Sequence, residues 1–180
     1  MDESSGCWRV LFLTKYRLGL FSDITGVIAL NNINVLSAEI QPRQGGELVE
    51  IKMKTSPLGK SDLDETWGKV KEDLTNTFTG KLALPYRLNL RVLSSNISIL
   101  KNPSHISNVI LDNELSKDFT VINVFAEDKV GLLYRIIRTL TDLRIAIRNA
   151  RILTNNEQVA DEFYVSDLEK RKIEDRERIK

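Results

Sequence analysis

Apolar positions along the chain switch between two periods. Trp8 to Thr14 is a β-prone run, and Leu20, Ile24, Val27 and Ile28 then recur at i, i+4, i+7 and i+8, the single stripe of a helix. Asn31 and Asn32 end that stripe. Ile33 to Pro42 reads as a strand, Gln44 to Gly46 as a turn, and Glu47 to Met53 alternates at period two, so a hairpin is expected. Ser61 is placed to cap a helix running to Thr79, with Leu63, Trp67, Val70, Leu74 and Phe78 on one face and Gly80 just past its end. Tyr86 to Val92 alternates again and predicts a strand with one covered face. The order is βαββαβ.

The pattern then repeats. Leu18 to Ile40 lies over Val130 to Ile152 without a gap at a constant offset, 131 − 19 = 112, which sets Gly19 on Gly131, Leu20 on Leu132, Ile33 on Ile145, Ala38 on Ala150 and Ile40 on Ile152. Duplication is the simplest account. In the second copy Thr120 to Ala126 is the first strand, and Leu132, Leu133, Ile136, Ile137, Leu140 and Leu143 form the helix stripe. "IAIRNARIL" and "QVADEFYV" make the hairpin. After Asp167 only "LEKRKIEDRERIK" remains, room for a second helix or its start but not for a closing strand. Ser107 to Asn113, just ahead of the first strand, is a spare β run able to fill the missing edge; alternatively the chain is a piece of a longer protein.

This order, with short right-handed connections, leads to an α+β fold: two ferredoxin-like units in tandem, each an antiparallel sheet with its helices on one face. The first unit is placed at residues 8–95, a linker at 96–106 and the second unit, shortened at its C-terminus, at 107–180. Units this small bury little apolar surface alone, so pairing between copies or between chains is expected.

Composition narrows the function. The 180 residues are 42% hydrophobic and 28% charged with a net charge of +1, which gives no long-range field to draw nucleic acid or an anionic membrane. One cysteine, Cys7, suits a reducing cytoplasm, and there is no apolar run of membrane-spanning length. The single histidine, His105, stands beside Pro103 in the connecting segment without a partner at ligand spacing. No metal or cofactor motif is found. Asp62 and Asp64 suit the start of a helix, and Asp161 and Glu162, adjacent in a strand, point to opposite faces, a poor arrangement for a catalytic pair. An RNA-binding sheet of the same order would need aromatic central strands, and Phe125 and Phe163 lack the basic, glycine-rich context.

Gly131, where strand turns into helix, is the residue that invites a ligand. The first amides of a helix are unpaired and carry partial positive charge, and a residue without Cβ lets a carboxylate approach them. Asp128, three residues earlier, is placed to cap the helix or to accept from an ammonium group.

"DKVGLLYRIIRTL", "IAIRNARILT" and "VADEFYVSD" resemble an ACT domain, the small-molecule-sensing module that binds amino acids at domain interfaces. Within that family, "NVILDNELSKDFTVINVFAEDKVGLLYRI" is similar to the C-terminal tandem ACT region of bifunctional uridylyltransferase/uridylyl-removing enzymes, glutamine sensors that modify the PII nitrogen-signalling protein. The resemblance spans nearly all of the second copy. The first copy departs from it, with Tyr16 where an acid is preferred and Leu18 where proline is usual, and Val130 holds the proline position in the second. The resemblance implies a ligand loop at Asp128, Gly131 and Leu132, its counterpart at Gly19 and Leu20, and a polar contact from Asn34, whose equivalent in copy two is Ala146. The expected site is asymmetric, with copy one lending Asn34 to the Gly131 loop. The family's catalytic signatures are absent from this chain, so a module that binds an amino acid and regulates an attached or partner enzyme, without cofactor, metal, nucleic acid or membrane, is expected. It would pair its ACT units within the chain or as a homodimer. A dimerisation scaffold without ligand is the alternative.

Overall fold

A computed structural model describes residues 7–15, 17–43, 46–55, 62–96, 108–155 and 158–174. The first half contributes β1 (Cys7–Thr14), α1 (Leu20–Leu30), β2 (Ile33–Arg43), β3 (Gly46–Thr55), α2 (Asp62–Phe78) and α3 (Leu84–Asn96). The second contributes β4 (Asn108–Asp112), β5 (Thr120–Glu127), α4 (Leu132–Asp142), β6 (Ala146–Arg151), β7 (Thr154–Asn155) and β8 (Gln158–Ser166). All strands pair antiparallel in one sheet ordered β1-β3-β2-β6-β8-β5-β4, with β7 beside β8.

The two halves meet through β2 and β6, where Ser37 faces Arg151, Ala38 faces Ala150 and Glu39 faces Asn149. Since 150 − 38 = 112, Ala38 lies opposite its own counterpart, which puts a pseudo-twofold axis between these strands. Finer features repeat at the same spacing. The register shift between Val35 and Ser37 recurs between Ile147 and Asn149. Asn32 and Arg144, which turn the chain from helix into strand, have φ of 58° and 60°, and Gly19 and Gly131 have φ of 84° and 76°. The duplication is thus visible in the backbone as well as in the residues.

Helix α1 occupies the centre, with Leu20, Phe21, Ile24, Val27, Ile28 and Leu30 all buried, and it touches α2, α3 and α4. Such a helix is apolar nearly all round because several partners cover it. Strand β8 shows the opposite economy: Val159, Asp161, Phe163 and Val165 form its buried row, while Glu162 on the other face meets Arg151 at 3.5 Å.

One expected element differs. Tyr86 to Val92 is helical, not a strand, so the first unit closes with a helix and its order is βαββαα. Leu84 and Leu88, four residues apart, are 2% and 3% exposed, whereas Tyr86 is 62% exposed. The helical spacing therefore carries the burial and the period-two alternation does not. Pro85 falls in the first turn, where its missing N–H costs nothing, and Arg91 donates to the Leu30 carbonyl. Asn96, where the linker was expected to begin, is the last residue of this helix.

After Asp167, where the sequence left room for a second helix or its start, none forms among the described residues. The Asp167 carboxylate instead accepts the amides of Glu169 and Arg171 at 2.9 and 2.8 Å, holding a turn. The chain then docks Ile173, 3% exposed, whose amide donates to Thr120 Oγ1 at 2.8 Å and whose carbonyl accepts from Asn113 at 3.1 Å.

The spare run ahead of the second copy takes the place expected of it, as β4 paired with β5 at the sheet's edge. At the other end, among the described residues, β1 pairs with β3 alone. Ser61 and His105 lie outside the described residues. Among the described residues no helix is long and apolar enough to cross a membrane.

Candidate functional site

Gly131 is the N-cap of α4 and its φ of 76° is left-handed, a conformation that glycine adopts without the Cβ clash other residues meet. No side chain caps this helix, so Asp128 does not serve as a cap. The Leu132 amide is not bare as expected but donates to the Lys129 carbonyl at 2.9 Å, while Arg135 donates to Gly131 at 3.0 Å. A Cβ built on Gly131 would meet nothing within 4 Å. The backbone faces open space.

That space is a cavity of about 360 Å³ between the two copies. One wall is the Asp128–Leu133 loop, the opposite wall is α1 and β2 of the first copy with Thr25, Ala29 and Asn34, and Ile152, Val159 and Asp161 close the end. Asn34, Asp128, Gly131 and Leu132, singled out from the sequence, therefore share one cavity, whose volume falls in the range of small-molecule sites.

Gly19 and Leu20 lie elsewhere, on a second cavity of about 50 Å³ related to the first by the pseudo-twofold axis. Its residues are the counterparts of those above, shifted by 112: Ile137 for Thr25, Thr141 for Ala29, Ala146 for Asn34, Glu47 for Val159. Each of the first two exchanges adds bulk. Thr141 Cγ2 lies 3.7 Å from where a Gly19 Cβ would be, so the loop that has open space in one copy has a neighbour in the other. Arg17 of this second loop pairs with Asp23 and lies 5.0 Å from the Phe78 ring centroid.

The larger cavity is acidic. Asp161 is 2% exposed, and burial pushes its carboxyl up to about 7; the Leu153 amide at 3.3 Å opposes that rise and the nearby Asp128 charge adds to it. Burial also raises Asp128 above the ordinary carboxylate range. Lys129 pairs with Glu127 at 3.1 Å. Sequence reasoning passed over Asp161 because it weighed it against Glu162 on the other face. The usable signal was an acid in the apolar row of an alternating strand.

A family model described as an ACR9-like, ACT-like domain matches residues 108–180. The chain is 34% identical over 170 residues, 93% of its length, to a bifunctional uridylyltransferase/uridylyl-removing enzyme of Rhodospirillum rubrum. It is 32% identical over 177 residues, 97% of its length, to that of Novosphingobium aromaticivorans, and 29% over 179 residues, 99%, to that of Erythrobacter litoralis. It spans only 18 to 19% of the length of these relatives. Residues 108–180 thus belong to the ACT-like domains, and the chain as a whole is similar to the C-terminal region of the bifunctional uridylyltransferase/uridylyl-removing enzymes.

Proposed function

We propose that this chain is a non-catalytic regulatory module that binds an amino acid, glutamine foremost, in the cavity between its two copies. The observation that carries the reading is the convergence of Asn34 from one copy with Asp128, Gly131 and Asp161 from the other on a single cavity of about 360 Å³. Backbone at a helix start favours the ligand's carboxylate, the two acids favour its ammonium, and Asn34 can both donate and accept. Because the walls come from different copies, a ligand touching both stabilises one packing of the halves over others. That population shift would act on the catalytic part of a uridylyltransferase-type nitrogen sensor, attached or as a partner.

A thermal-shift panel of the amino acids tests this reading. At a hundredfold excess over the dissociation constant, binding adds about 2.7 kcal/mol, or roughly 5–10 °C for a chain of this size. Gly131→Asn should remove the shift. Asparagine tolerates φ of 76° and would project into the open space, so circular dichroism should stay unchanged. No shift with any amino acid, together with a dimer by light scattering, would favour the scaffold reading.

A further inference from the structure

Asp161 is an acid where the fold does not ask for one. Its counterpart in the first copy, 161 − 112 = 49, is Val49, fully buried in the corresponding strand. The same backbone position thus accepts a plain apolar side chain. In the second copy it holds a carboxylate whose only hydrogen bond among the described residues is the Leu153 amide on Oδ1, leaving Oδ2 without one at the cavity wall. Burying a carboxylate so thinly supported is costly, and it persists where something else uses the charge.

The surroundings name the missing partner. The titratable groups lining the cavity with Asp161 are Asp128 and Lys129, and Lys129 is engaged with Glu127; α1 and β2 present only uncharged residues. A metal ion fits poorly, since no group of three or more His, Cys, Asp or Glu among the described residues could hold one. We propose, building on the amino-acid reading above, that the cavity selects its ligand by a cationic amino group held by Asp161 and Asp128, and refuses molecules of the same shape that lack it.

A proton follows. Near pH 7 Asp161 spends much of its time neutral, and an ammonium beside it favours the ionised form. Binding below neutrality therefore expels a proton. The ligand takes the carboxylate form, whose share shrinks as pH falls through about 7, so the apparent affinity falls with acid, about tenfold between pH 8 and pH 6.

Isothermal titration of the full chain with L-glutamine, or with whichever amino acid gives the largest shift in the panel, at pH 6 and pH 8 in two buffers of different ionisation enthalpy, tests this. Alongside run its deaminated acid, glutaramic acid for glutamine, and Asp161→Asn, which keeps an oxygen for the Leu153 amide. Expected are proton release at pH 6, a dissociation constant about tenfold weaker there, no binding by the deaminated acid, and pH-independent, weakened binding by the variant. Equal affinity at both pH values with no proton release, or a deaminated acid that binds as well as the amino acid, overturns the proposal while leaving the amino-acid reading standing. No heat and no shift from any amino acid overturns both.

Discussion

Asp161 shows how one residue can work against stability. Its carboxyl, ordinarily near 3.8, is raised to about 7 in the folded chain, so the unfolded chain loses its proton first as pH rises. Stability from this group is complete below pH 4 and is lost as pH climbs through 7, a loss on the order of 4 kcal/mol at most for three units. Asp161→Asn, neutral at every pH, should match the parent in urea unfolding at pH 3.5 and exceed it by about 1–4 kcal/mol at pH 8. A variant no more stable than the parent at pH 8 would mean that the carboxylate is already solvated or paired. Much of the larger cavity was legible at this scale: Gly131 and Asp128 stood out where a strand turns into a helix, and Asn34 was supplied by the resemblance to ACT domains. Asp161 was passed over although an acid in the apolar row of an alternating strand marks it; that this face of β8 looks into a cavity is not written along the chain.

Among the elements, the strand–helix–hairpin frame of both copies was readable because apolar spacing and turn residues agreed. The third helix was misread because Tyr86, Leu88, Leu90 and Val92 alternate by accident while Leu84 and Leu88 carry the packing. Pro85 was the better clue. What decides its place is α1, whose Gly26 leaves room for neighbours: a Cβ there would sit 2.8 Å from both Leu84 Cδ2 and Tyr134 Cδ2. Gly26→Ala should therefore destabilise by about 1–3 kcal/mol in spite of alanine's better helix propensity. Leu84→Val in the same chain should recover part of that loss, a non-additivity visible in chemical denaturation. Additive effects would place the crowding elsewhere.

At the level of the whole molecule, the halves are joined by β2–β6 pairing and by contact of α1 with α4. A core shared in this way should melt as one unit. Both tryptophans, Trp8 and Trp67, report from the first half, whereas far-ultraviolet circular dichroism reports from both. Urea transitions followed by the two probes should coincide, and separated midpoints would show halves that unfold independently. The tandem arrangement itself could be read from the offset of 112. Pairing between the copies was expected as well, but not which edges would join, since β2 and β6 look like any other hairpin strands in the sequence.

Thr141 and Ile137 fill one loop's surroundings where Ala29 and Thr25 leave the other's open. On the amino-acid reading, a duplicated receptor in which just one of the two related berths is roomy would answer rising ligand along a simple hyperbola with a Hill coefficient of one. Any sharper threshold in its response would then have to be built by several chains acting together, not by the tandem itself.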